Sequence, residues 1–122
     1  MAERPAASKL QLLRAAAGWL LSLLLALVFL SAGSIKLLGR PNMVQEFAQV
    51  GLGQWFRYFT GILEVTGAAA IVIPPLSRWG AILPATVMSG AAVAHITALH
   101  TAPTLPVILL VMALAAAGLR RL

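Results

Sequence analysis

The chain has 122 residues, of which 61% are hydrophobic and only 10% charged, and its mean hydropathy is +0.94. A soluble domain of this length carries about a quarter charged residues, so the composition excludes an ordinary water-facing surface. The net charge of +6 comes from nine scattered Lys and Arg residues rather than a basic stripe interleaved with aromatics, which excludes a nucleic-acid partner and leaves membrane-edge charges.

Ala15 to Ile35 runs 21 positions without an ionisable side chain, enough for roughly 30 Å of hydrocarbon. The basic Met1 to Arg14 segment and the small residues Ser31-Ala32-Gly33 are also features of a secretory signal. The apolar stretch exceeds a signal core of roughly 7–15 residues, and further apolar segments follow, so a retained first span over about 15–38 is expected.

In the connection that follows, Asn42 and Gln45 have the spacing of a capping box just after Pro41. Met43, Val44, Phe47 and Val50 share one face, Gln45, Glu46 and Gln49 the other, and Gly51 and Gly53 stop the run. These features predict a short amphipathic helix over about 42–50 on the outer membrane surface. Tyr58 to Ile73 is the second apolar segment, interrupted only by Glu64 and closed by Pro74-Pro75; it predicts a span over about 57–74. Trp79 to Leu99 gives a third, over about 79–99, with Pro84 in its first turns. Leu105 to Leu119 follows Pro103 and ends before Arg120-Arg121; it predicts a fourth span over about 104–120, short for a full crossing.

The expected fold is therefore all-α, a four-transmembrane-helix bundle forming a single transmembrane domain over residues 1–122, with a short interfacial helix between the first and second spans. With four spans, Arg4, Lys9, Arg14, Arg78, Arg120 and Arg121 fall on one side and Lys36, Arg40 and Arg57 on the other. The positive-inside rule then places both termini in the cytoplasm, with Trp19 and Trp79 at the inner interface and Trp55, Phe56, Tyr58 and Phe59 at the outer. The inner halves of the spans read as almost purely apolar.

Ionisable residues within a span cost on the order of 2.5–3.5 kcal/mol at its centre, so Lys36, Glu64 and His95 each ask for a reason. In this topology all three lie in the outer third of the membrane, with Arg57 and His100 just above them. Arg57, Gly61, Glu64 and Ala68 sit at helical spacing, putting the carboxylate on a small-residue stripe suited to close packing; Gly33 with Lys36, and Met88 and Ala91 with His95, do the same on their helices. Helices packed through these faces would enclose an outward-facing polar pocket floored by apolar side chains. Each residue also has a plainer reading: Lys36 snorkelling to headgroups, Glu64 protonated or in a structural pair with Lys36 or Arg57, His95 satisfied by backbone or a Thr hydroxyl. The Met residues read as packing, and Ser22, Ser34 and Ser89 as bonded within their own helices.

No nucleophile-base-acid triad, phosphate loop or carboxylate-rich metal set is present, so catalytic residues are not assigned and no metal is expected. The absence of cysteine excludes dithiol chemistry, and a redox role would need a bound cofactor.

The runs Ser31-Ala32-Gly33-Ser34-Ile35-Lys36-Leu37, Thr60-Gly61-Ile62-Leu63-Glu64-Val65-Thr66-Gly67 and Val87-Met88-Ser89-Gly90-Ala91-Ala92-Val93-Ala94-His95 together resemble the DoxX-like membrane proteins, in order and over nearly the whole chain. The resemblance implies a four-helix transmembrane bundle with Lys36, Glu64 and His95 among its recurrent polar positions. The family takes its name from a membrane subunit associated with a thiosulfate:quinone oxidoreductase. Fold-level analogy does not transfer that reaction, and a chain without cysteine carries no persulfide. The expectation is a small bacterial inner-membrane subunit of a redox or stress-response complex, its pocket (Lys36, Arg57, Glu64, His95, His100) binding a quinone-like molecule. Its partners would be the lipid bilayer and other membrane subunits or copies of itself. A transporter or exporter component, with Lys36 and Arg57 attracting an anion, and a scaffold without chemistry are the competing readings.

Overall fold

Ser8 starts the first helix: its hydroxyl accepts from the Gln11 N–H at 3.1 Å while the Gln11 side chain accepts from the Ser8 N–H at 2.8 Å, a reciprocal capping box. The computed structural model describes residues 8–122, so Arg4, counted above among the charges of one side, lies outside the described residues. Helix α1 runs Lys9–Leu37, and its 29 residues extend roughly 43 Å at 1.5 Å each. Helix α2 runs Pro41–Val50, and Asn42 does not cap it. Pro41, its φ already suited to a helix, takes the first helical position; the cap falls on Arg40, and Asn42 is inside the first turn, where its side chain no longer serves. The other end is as expected: Gly51 adopts φ +83°, which a side chain resists, and its N–H bonds the Phe47 carbonyl.

Helix α3 runs Gln54–Ile71, a 3-10 turn over Pro74–Leu76 follows, α4 runs Ser77–Thr97 and α5 runs Thr104–Arg120. Pro84 stands eight residues into α4, deeper than the first turns, and its ring packs where Gly67 of α3 has no side chain. The four long helices close into a ring in which α1 and α4 each touch both α3 and α5. Leu25, Phe29, Ala68, Ile71, Met88, Leu109 and Ala113 form the core.

Two crossings are tight. A Cβ on Gly33 would lie 2.8 Å from the Gly61 carbonyl oxygen, so α1 and α3 meet backbone to backbone on the small-residue faces. A Cβ on Gly80 would lie 2.1 Å from the Ile71 nitrogen, so α4 leaves its turn directly against the end of α3.

The end of the bundle formed by the start of α4 and the end of α5 is not apolar filler. Arg120 turns inward, donating to the Ser22 hydroxyl (2.9 Å), the Ile71 carbonyl (2.8 Å) and the Ser77 hydroxyl (2.6 Å), with its guanidinium 3.8 Å from the Trp19 ring centre. Ser22 donates in turn to Gly18, within its own helix, and Ser77 to Ile71 and Ile73. One side chain thus ties together all four long helices, because α3 leaves its last carbonyls unpaired within the helix and an arginine carries enough N–H groups to serve them.

The outside of the ring is strongly apolar, with Leu20, Leu23, Leu27, Ile82, Val93, Ile108, Val111 and Leu114 all exposed. Lys9–Leu37 and Pro74–Thr97 are long and apolar enough to cross a membrane; α5 is apolar but shorter, at 17 residues, and the 18 residues of α3 include Gln54, Arg57 and Glu64. Of the four expected crossings, length and composition by themselves support two.

The Gly80 contact gives a sharp expectation. Gly80→Ala should lower stability by about 3 kcal/mol, the upper range for overpacking, because the obstructing atoms are backbone; Gly90→Ala, which meets nothing within 4 Å, should be neutral or slightly stabilising. Thermal unfolding in detergent, followed by circular dichroism, separates the two; equal melting temperatures would contradict the crossing.

Candidate functional site

The close approach at Gly33 and Gly61 brings the antiparallel helices α1 and α3 near enough for a side chain on one to reach across to the other. Lys36 and Glu64 lie three residues further along their respective helices, and the Lys36 Nζ meets Glu64 Oε1 at 2.5 Å. None of the Glu64 side chain is exposed, against 14% of the Lys36 side chain. A carboxylate so deeply buried requires a counter-charge, and this lysine supplies it.

Arg57 is buried beside the pair but does not touch the carboxylate. It donates to the Lys36 backbone carbonyl and, at 2.8 Å, to the Gln54 side chain, and it lies 4.3 Å from the Tyr58 ring centre. The carbonyls at the end of α1 lack helical partners and carry the negative end of the helix dipole, so a guanidinium is favoured there. Arg57 therefore holds the backbone from which Lys36 projects; of the two partners weighed for Glu64, Lys36 is the one in contact.

Beside the ion pair lies a cavity of about 590 Å³, within the usual range of roughly 300–1,000 Å³ for small-molecule sites. All five helices contribute walls. Phe29, Met88 and Leu109 belong to the apolar part, while Lys36, Glu46, Thr60, Glu64 and His95 bring polar groups to it. The imidazole Nδ1 of His95 is 2.7 Å from the Thr101 hydroxyl, the satisfied arrangement weighed above as its plainer reading. Its Nε2 is 3.8 Å from Glu46 Oε1, an ion-pair distance when the ring is protonated. His100, in contrast, is exposed in the turn between α4 and α5, with φ +53°, and does not line the cavity.

The structure thus brings Lys36, Glu64 and His95 to one cavity, places Arg57 behind it and leaves His100 outside. Glu46 joins the site unexpectedly. It lies between Met43 and Phe47 at the border of the apolar face of α2; the docking of Phe47 on Phe56, with ring centres 6.0 Å apart, turns that border toward α4. The spacing of Glu46 from Met43, three residues before, and Val50, four after, was the available signal, since such positions are neighbours on a helix surface.

The DoxX-like family model matches residues 20–118. The chain belongs to the DoxX-like family. The matched stretch includes every residue of this DoxX-like cavity and stops before Arg120. No curated protein and no solved structure matches the chain. Membership in the DoxX-like family and the apolar helices agree in marking a membrane protein.

A double-mutant cycle tests the pair. Lys36→Met, which strands the buried carboxylate, should destabilise by about 3 kcal/mol, whereas Lys36→Met combined with Glu64→Leu should recover most of that loss. Melting temperatures of the purified variants decide it: additive losses in the double variant would mean the two side chains do not interact.

Proposed function

We propose that this DoxX-like protein crosses a bacterial inner membrane four times with both termini in the cytoplasm, and that its outward-facing cavity binds a quinone-like amphipathic molecule for a redox or stress-response complex. The observation that carries the reading is the cavity itself: an apolar enclosure with a buried ion pair on its wall, in a chain otherwise poor in charge. Burying charge against a cavity is costly where packing alone would suffice, so the charge is there for what enters.

The four-span topology is supported by the packing. Helices α3 and α5 lie lengthwise between α1 and α4, so a bilayer that surrounds the two long apolar helices also encloses the two shorter ones. Their lengths, roughly 27 Å and 25 Å at 1.5 Å per residue, fall slightly below a core of about 30 Å, a mismatch that local thinning accommodates at modest cost. In this frame the wall residues divide by chemistry. Lys36 offers N–H groups to a ligand oxygen, Glu64 accepts, and His95, held by Thr101, exchanges a proton with groups at the cavity mouth. A quinone-like head presents carbonyl oxygen to the Lys36 N–H groups and, in its reduced form, hydroxyls that donate to Glu64, with an apolar body against the rest.

Because the chain contains no cysteine, single-cysteine labelling reads topology without background. A membrane-impermeant maleimide should label Gln49→Cys in intact cells and Arg121→Cys only after permeabilisation, both positions being exposed; the reverse pattern would overturn the orientation. Protein purified from native membranes should retain quinone or its reduced hydroxyl form detectable in its organic extract, and Glu64→Gln should reduce retention of the reduced form at least about tenfold, the scale of one lost charge-assisted hydrogen bond. Absence of bound quinone, together with failure to take up added quinone, would remove the ligand assignment.

A further inference from the structure

The ion pair leaves one atom without a partner. Lys36 occupies Glu64 Oε1, while Glu64 Oε2, on a side chain with no exposed surface, makes no hydrogen bond. Among the described residues it is the one buried side-chain polar atom in that condition. The other buried polar groups, including Arg57, Thr60, Ser22 and Ser77, are all bonded.

We propose that the cavity selects a ligand carrying an aromatic hydroxyl on an apolar body, with Glu64 Oε2 accepting the hydroxyl hydrogen bond. The inference rests on the cavity being a ligand site and specifies what enters it. Paired with Lys36, Glu64 is a carboxylate and therefore an acceptor only, so the complementary group must donate. A carbonyl oxygen bonded to Lys36 would leave Oε2 orphaned and bring lone pairs against it. A carboxylate ligand would meet like charge. A cationic amine would donate, but it would add a second positive charge beside Lys36, which already compensates Glu64. A hydroxyl fits both partners, donating to Oε2 and accepting one of the Lys36 N–H groups not used by Oε1. A phenolic hydroxyl is the stronger donor to a carboxylate than an aliphatic one, and the aromatic walls Phe29, Phe47 and Phe59 suit a flat ring.

The test uses three probes of nearly equal shape on the full-length protein in detergent, with affinities corrected for partition into the micelle: 1-naphthol, 1-methoxynaphthalene and naphthalene. Wild-type protein should bind 1-naphthol at least about tenfold more tightly than either of the others, the ratio expected of one hydrogen bond to a buried charge. Naphthalene, smaller than the ether, removes a steric explanation for the difference. In the Lys36→Met, Glu64→Leu double variant the three affinities should converge. Equal binding of all three by wild-type protein would overturn the hydroxyl assignment while leaving the cavity a ligand site. Binding of none would overturn both. The wild-type series decides the matter even if the double variant does not fold.

Discussion

The contact between α1 and α3 at Gly33 and Gly61 governs what the rest of the bundle can do. With both positions lacking side chains the backbones approach closely, and because the helices run antiparallel Lys36 and Glu64 stand on opposite sides of the crossing, close enough for the long lysine side chain to reach across it to the carboxylate. Two unit charges 4 Å apart attract by about 4 kcal/mol at an effective dielectric near 20, while removing each from water costs several kcal/mol. The pair is therefore close to neutral in net stability. Its consequence is geometric: it allows a carboxylate to stand on the wall of an apolar cavity, which an unpaired Glu64 could not do. Helix packing and cavity chemistry are one constraint.

Two polar clusters occupy opposite ends of the ring, and they differ in kind. At Arg120 each polar partner is bonded: Ser22, Ser77 and the Ile71 carbonyl converge on one guanidinium, which also covers Trp19. Such a saturated knot has nothing left to offer a ligand and serves to close the ring where α3 ends and α4 begins. At Glu64, a residue of the cavity wall, one buried oxygen remains without a partner. Satisfaction, rather than polarity, distinguishes the two ends.

Much of this was legible in the residues. The apolar segments gave the helices, Pro74-Pro75 and Gly51 marked where two of them stop, and the stripe through Arg57, Gly61, Glu64 and Ala68 marked the face that packs. What was not legible depends on side-chain reach toward the backbone of another helix. Arg120, next to Arg121 at the end of an apolar run, looks like an ordinary membrane-edge charge; only the arrival of Ser77 and the end of α3 beside it gives it acceptors. Arg57 is similar, since its acceptor is a carbonyl of α1, and carbonyls are invisible in a pattern of side chains. The cap of α2 was misplaced for a local reason: a proline at the first helical position moves the cap from Asn42 back to Arg40 and turns a good capping residue into an interior one.

Helix α2 completes the cavity with unusually little attachment. One of its ten residues, Phe47, is buried, and it is held by that ring on Phe56, by the Gln54 side chain on the Val44 carbonyl at 3.0 Å, and by Glu46 facing His95. Its apolar face covers the same volume that the Lys36–Glu64 pair borders. A wall made of an amphipathic helix, rather than of another long apolar one, explains how so hydrophobic a chain brings Glu46 to the mouth of the cavity without carrying it through the bundle. The charge stays where α2 meets the turn after α4, and the deeper volume keeps Glu64 as its only carboxylate. One acid fully buried and one part-exposed, each facing a different base, give the cavity two polar points of unlike depth in an otherwise apolar wall.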